Sequence, residues 1–193
     1  MMFPPESTLR RATVEDLPGI RGLVFRAFLD PTQLRWQQFW VLEIDRRIIA
    51  CGQLREFDGV QELGSLVVAR DWRHRGIGTA MAKHLIEQAT RSLYVDCLGK
   101  RLCLFYQRLG FVEMTDDDIP PQLHLRYGIL GILKKVFRLP LFFMAYRSNQ
   151  SSIDLVGANG RSPLQGFWYH SQSNYTTIPT DPLLLYLILK IIT

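Results

Sequence analysis

The sequence predicts a mixed α/β domain followed by a low-charge tail, and three observations carry that reading. The 193 residues are 47% apolar and 21% charged, so the chain can bury one domain-sized core and lies far from the composition of disorder. From Leu9 to about Arg147, short apolar runs alternate with amphipathic stretches in the order strands, helix, strand, helix, two strands, as a mixed α/β sheet requires. From Ser148 to Thr193 the chain turns to Ser, Asn, Gln, Gly and Thr, with Asp154, Arg161, Asp181 and Lys190 as its only charges. We therefore expect a domain over 1–147 and a poorly ordered appendage over 148–193.

The elements follow in order. Leu9 to Ala12 reads as a short strand, and Thr13 with Asp16 is the Ser/Thr-x-x-acid arrangement that caps a helix start. The helix predicted to run to Phe28 keeps Leu17, Ile20, Leu23, Val24, Ala27 and Phe28 on one face, which places Pro18 in its first turn. Pro31 to Gln38 is a short helical or irregular piece; Phe39–Ile44 and Arg47–Arg55 form a hairpin around Asp45-Arg46. A strand over Gln61–Val68 follows the Asp58-Gly59 turn. Thr79 to Arg91 is helical, with Met81, Leu85 and Ala89 on one line, and Leu93–Cys97 is a buried strand. Leu102–Leu109 forms a helix stopped by Gly110, and Phe111–Met114 a further strand. Beyond the acidic turn Asp116–Asp118 come an amphipathic helix over Leu123–Phe137 and a last strand over Leu139–Tyr146.

Composition narrows the function classes. Twenty-three Lys and Arg against 18 Asp and Glu leave +5, a balance that favours anionic partners such as a phosphorylated cofactor. Clustered basic residues with interleaved aromatics are lacking, which argues against a nucleic-acid binder. Cys51, Cys97 and Cys103 fit neither a disulfide framework nor a zinc spacing, so no metal is expected and a reducing, cytoplasmic setting is. The amino terminus has no basic n-region and apolar run of a secretory signal. The apolar run from Leu183 falls short of the roughly 20 residues of a bilayer span.

The informative segment is Leu66-Val67-Val68-Ala69-Arg70-Asp71-Trp72-Arg73-His74-Arg75-Gly76-Ile77-Gly78-Thr79: strand, basic glycine loop, helix. Missing side chains let backbone amides reach an oxyanion, and a helix start adds unpaired N–H groups and partial positive charge. Neither the P-loop pattern nor a dinucleotide fingerprint fits, because no G-x-x-x-x-G-K-[ST] run exists and Met81 stands where the third glycine would be.

The pattern present, Arg-x-x-Gly-x-Gly, resembles the acetyl-coenzyme A loop of the GNAT (GCN5-related) N-acetyltransferases. A second match is Phe105-Tyr106-Gln107-Arg108-Leu109-Gly110-Phe111, similar to that family's tyrosine segment ahead of a Gly-Phe pair. The resemblance covers Leu9 to Arg147 and implies the acyl-CoA N-acyltransferase fold, a mixed, mostly antiparallel sheet flanked by helices, with acetyl-CoA as co-substrate and a primary amine as acceptor. It implies that backbone groups of Leu66, Val67 and Val68 bond the pantetheine arm. Arg73, His74, Arg75, Gly76, Ile77, Gly78 and Thr79 would hold the pyrophosphate, and Tyr106 would protonate the leaving thiolate. For the general base two carboxylates remain open: Asp96 on the strand after the long helix, and Glu62 near the start of the strand before it. The family's frequent Asn after that later strand is missing; Gly99 stands there.

Plainer readings stand beside these. Tyr106 could be a core aromatic, and Asp96 and Glu62 exposed strand or turn charges. Cys97 and Cys103 could be nucleophiles, but His84, His124 and His170 are not spaced as partners. The basic, apolar stretch Leu125–Leu141 could lie on an anionic membrane surface, or pack as a solvated helix between two strands. Trp36 and Trp40 either line the acceptor cleft or fill the core. The rival function is a non-catalytic acyl-CoA sensor or interaction module, and the chain is expected to be a monomer or a homodimer.

Overall fold

The computed structural model describes residues 3–29, 33–115 and 118–147. The tail from Ser148, Asp116 and Asp117 of the acidic turn, and residues 30–32 lie outside the described residues. Among the described residues seven strands form one sheet: β1 (Thr8–Arg11), β2 (Phe39–Ile44), β3 (Arg47–Phe57), β4 (Val60–Val68), β5 (Ser92–Leu98), β6 (Phe111–Glu113) and β7 (Leu141–Tyr146). Four helices accompany them: α1 (Leu17–Arg26), α2 (Ile77–Gln88), α3 (Lys100–Gln107) and α4 (Pro121–Phe137). The strand order is β1-β2-β3-β4-β5-β7-β6. Every neighbouring pair is antiparallel except β4 and β5, which the α2 crossover joins in parallel.

Local chemistry explains the boundaries. Asp16 reaches back to accept the Thr13 amide at 2.7 Å, and Pro18 sits in the first turn of α1, where its missing N–H is harmless. Residues 14–16 are a tighter 3₁₀ turn, and α1 ends at Arg26 rather than Phe28, which has turned to φ +55°. α2 begins two residues earlier than the apolar periodicity suggested and stops at Gln88. The Asp45-Arg46 turn has both residues at positive φ, 48° and 61°, the two-residue geometry that matches strand twist.

Alternation along the strands sorts the core onto two faces. On one face α2 and α3 pack Leu85, Cys103 and Tyr106 against Leu63, Leu93, Val95 and Cys97, with Ile77 and Met81 over Ile49 and Ala50. On the other face α1 sets Ile20 and Val24 on Val41, Cys51 and Val67. α4 sets Leu123 and Tyr127 on Val60, Leu141 and Phe143 of that same face.

The parallel pair positions the site. β4 and β5 are in register only from Val60–Ser92 to Glu62–Tyr94. Beyond that β4 stays with β3 as far as Val68, and β5 stays with β7 as far as Leu98, so the two strands part. Ser65 at φ +48°, and the register shift opposite it between Cys51 and Gln53, mark a bulge that bends β4 where the parting begins.

Candidate active site

The strand-loop-helix segment forms a hollow of about 310 Å³ at the end of β4, lined by Val68, Trp72, Arg73, His74, Gly76, Gly78, Thr79 and Phe105. Gly76 is left-handed, φ +78° and ψ −4°, immediately before α2, a conformation that costs glycine nothing. The first intrahelical bond there runs from the Ala80 amide to the Gly76 carbonyl, so the amides of Ile77, Gly78 and Thr79 have no helical acceptor. With the positive end of a twelve-residue helix this is a site built for oxyanions. His74 and Arg75 are exposed on the same loop, and the Arg75 guanidinium lies 4.8 Å over the Trp72 ring. Arg73 is differently employed: its Nε donates to the Val68 carbonyl at 3.0 Å and ties the loop to the strand end.

The edge of β4 that faces the parting is open main chain. The Ala69 amide donates to the Ile49 carbonyl on β3, so by alternation the backbone groups of Leu66 and Val68 point away from β3, toward the gap left by β5. Val67 points its backbone to β3 and its side chain to the α1 face. Of the three expected pantetheine contacts, two are therefore aimed at the gap, and the Val68 carbonyl is already engaged by Arg73.

Tyr106 lies on α3, 6% exposed, edge-on to Phe105 at 5.0 Å and Phe111 at 5.4 Å. Phe105 lines the hollow and Tyr106 sits behind it in the core, with no hydrogen bond among the described residues. Burial, with Cys97 and Asp96 adding to it, keeps its phenol protonated well above the usual tyrosine range. The thiols are inert by the same cause: burial pushes Cys51 and Cys97 up to about 12 and raises Cys103, which removes them as nucleophiles.

On the opposite face, between the α1 and α4 clusters, the strands carry charge. The expectation that Glu62 is an exposed strand-end charge is corrected: it is fully buried, 0% exposed. Its Oε1 accepts from Arg55 Nη1 at 2.7 Å and its Oε2 from Arg126 Nε at 2.9 Å. Arg55 also donates to Gln53 and Ser65. It lies flat over Gly64, where an added Cβ would stand 2.7 Å from its Cζ. Arg126 reaches from α4 across the parting, and its Nη2 donates to Asp96 Oδ1 at 3.3 Å. Burial and the Asp96 charge push Glu62 upward against the pull of the two guanidiniums. With each oxygen bonded to a guanidinium and the side chain fully buried, Glu62 is closed to an incoming amine. The Asp96 side chain is 24% exposed and binds Arg126 through one oxygen.

The hollow and the charged cluster thus lie on opposite faces of the sheet and meet where β4 and β5 part. Two aromatics named from sequence divide: Trp36 begins a short 3₁₀ turn, whereas Trp40 packs edge-on to His84 at 4.3 Å between β2 and α2. Arg55 and Arg126 were not singled out from the sequence. Arg55 was findable, because it and Glu62 are equidistant from the Asp58-Gly59 turn and so face each other across the hairpin.

Comparison with known proteins gives these features a context. Residues 35–113 match the Acetyltransferase (GNAT) domain family. The amino-acid acetyltransferase of Shewanella oneidensis is 31% identical over 133 residues, 62% of this chain and 30% of that protein. The Escherichia coli amino-acid acetyltransferase is 26% identical over 127 residues, 58% of this chain and 28% of that one. The chain thus spans under a third of the length of these relatives. Among solved structures, N-acetylglutamate synthase from Neisseria gonorrhoeae, complexed with coenzyme A and N-acetyl-glutamate, superposes with TM-score 0.59 at 19% identity, covering 76% of this chain and 36% of that one. The Mycobacterium tuberculosis protein Rv2747, also in complex with CoA, gives 0.58 at 20% identity, covering 73% and 99%.

Proposed function

We propose, from the match of residues 35–113 to the Acetyltransferase (GNAT) domain family, that the chain transfers an acetyl group from acetyl-CoA directly to the primary amine of an acceptor. The observation that carries this reading is the run of free amides at the start of α2, opening with His74 and Arg75 on a hollow beside the parting of β4 and β5. No metal-holding group of His, Cys, Asp and Glu occurs among the described residues.

Acetyl-CoA, when bound, supplies a thioester whose carbonyl carbon the amine attacks and whose thiolate leaves. The amides of Ile77, Gly78 and Thr79, with His74 and Arg75, hold the pyrophosphate; Arg73 serves by fixing the loop to Val68. The backbone of Leu66 and the Val68 amide orient the pantetheine arm and, by holding donor and acceptor in line, supply much of the acceleration. Tyr106, the residue matching the family's tyrosine segment, is the proton donor to the thiolate in this reading, although burial behind Phe105 pushes its phenol upward and makes it a weaker acid. Asp96 receives the amine proton; Glu62, locked between two guanidiniums, positions Arg126 and through it Asp96.

The acceptor enters from the face opposite the hollow. There Asp96 beside Arg126 pairs a carboxylate with a guanidinium, the complement of the ammonium and carboxylate of an amino acid. That the relatives named above are amino-acid acetyltransferases supports an amino-acid acceptor. Three free, buried cysteines support a reducing, cytoplasmic setting. No helix among the described residues is long and apolar enough to cross a membrane.

Calorimetric titration with acetyl-CoA, followed by thiol release against amino acids and their decarboxylated amines, tests this reading. Binding with release for an amino acid supports it. Binding without release from any amine favours an acyl-CoA sensor, and no binding removes the α2 loop as the donor site.

A further inference from the structure

The charged cluster does not end at Arg55. The next member is Gln53 on β3, 0% exposed, and its side-chain amide uses every hydrogen-bonding position it has. Its Oε1 accepts from Arg55 Nε at 3.1 Å and from Ser65 Oγ at 3.4 Å. Its Nε2 donates to the Gln33 carbonyl at 2.8 Å and to Gln38 Oε1 at 3.1 Å. Only one orientation of the amide satisfies this set: reversed, its N–H groups would meet the Arg55 donor and its oxygen would meet two other oxygens. Residues 33–38, which end in the 3₁₀ turn Trp36–Gln38 ahead of β2, are thereby tied to the cluster. Leu34 packs on the α1 cluster, so the segment rests on apolar contact at one place and on Gln53 at another.

The tie falls at the height of Asp96. β4 and β5 pair Glu62 with Tyr94, so two residues further on Gly64 and Asp96 stand level, and β3 pairs Gln53 with Gly64. Gln53 and Asp96 are then two strand spacings apart, at least about 10 Å, with the Arg55 guanidinium lying over Gly64 between them. We propose that Gln53 is a positioning residue for the acceptor: it seats residues 33–38 as one wall of the acceptor site, opposite the wall that α4 makes with Arg126 beside Asp96. The proposal rests on the acetyl-transfer reading above, in which Asp96 receives the amine proton. The tie is neutral and fixed in direction, so it holds the wall without setting a further charge beside the ammonium or carboxylate of the acceptor.

The test combines amide hydrogen exchange over residues 33–38 with steady-state kinetics on the amino acid most active in the assay above, for the full chain and three variants. Gln53→Glu keeps an acceptor for Arg55 but has no N–H for Gln33 or Gln38, and beside that guanidinium it stays ionised. Gln38→Met, at a half-buried position, removes one acceptor, and Gln38→Glu restores it. In Gln53→Glu, exchange over 33–38 is expected to quicken by about tenfold or more and the acceptor KM to rise about tenfold, with kcat and acetyl-CoA affinity within about twofold. Gln38→Met should move exchange and KM the same way by about threefold, and Gln38→Glu should return both to near the wild type. If Gln53→Glu fails to fold, the Gln38 pair decides alone. Unchanged exchange in Gln53→Glu, a fall in kcat with the acceptor KM unmoved, or a Gln38→Glu no better than Gln38→Met would each overturn the proposal. A wild type that binds acetyl-CoA yet acetylates no amine overturns the acetyl-transfer reading, and the acceptor role of Gln53 with it; the exchange rates then report the tie by themselves.

Discussion

Replacing Gly78 by alanine separates the needs of the fold from those of the donor site. Gly78 is the second residue of α2, its backbone is not left-handed, and an added Cβ would stand 3.6 Å from the Val68 Cγ2, an ordinary contact. Nothing in the protein therefore requires a glycine, and alanine in a helix is favoured by roughly 0.5–1 kcal/mol. For a chain of this size that raises the melting temperature by about 1–4 °C. The same methyl projects between Gly78 and Val68, both of which line the hollow, and holds a phosphate off the free amides. Donor affinity should fall by about tenfold or more, about 1.4 kcal/mol. Calorimetry of unfolding and titration with acetyl-CoA on one preparation read both quantities. The reasoning is refuted if Gly78→Ala is stabilised yet binds acetyl-CoA as tightly as the wild type, because the hollow is then not where the donor sits. A destabilised variant would show instead that the glycine is a packing requirement.

Three further outcomes are expected. Tyr106→Phe should lower kcat by about a hundredfold or more with acetyl-CoA affinity unchanged and stability within about 0.5 kcal/mol; unaltered turnover would remove the phenol from the reaction. Glu62→Gln should cost about 3–5 kcal/mol in urea unfolding, because it strips the counter-charge from Arg55, whose side chain is 7% exposed, and from Arg126; a cost under about 1 kcal/mol would mean the cluster is not ionised. The third concerns acid stability. The Arg10 guanidinium, then the Thr13 amide, hold the Asp16 carboxyl at about 2. A depressed carboxyl stabilises the fold above its unfolded value and loses that contribution as pH falls through the folded one. Asp16→Asn should therefore cost about 1–2 kcal/mol at neutral pH, allowing for screening at the 34%-exposed Arg10, and the cost should vanish between about pH 4 and pH 2. Paired urea titrations across that range would expose a pH-independent difference, contrary to this account.

The order and kind of the elements, and the glycine loop before α2, were legible in the sequence because their causes are local. Apolar spacing sets each helix face, Asp45-Arg46 and Asp58-Gly59 turn the hairpins, and Gly76 before α2 frees the amides of the residues that follow. What the sequence did not disclose depends on where strands go after they pair. Glu62 reads as a strand-end charge until β4 is seen between β3 and β5 with α4 above it, and Arg126 reads as one cation of a basic helix until that helix crosses the parting. Tyr106 looks alike in the chain whether it faces the hollow or stands behind Phe105. The tertiary structure decided these because a charge or a ring takes its chemistry from what surrounds it. Those surroundings are assembled from segments up to 64 residues apart, the separation of Arg126 from Glu62, which no periodicity or turn encodes.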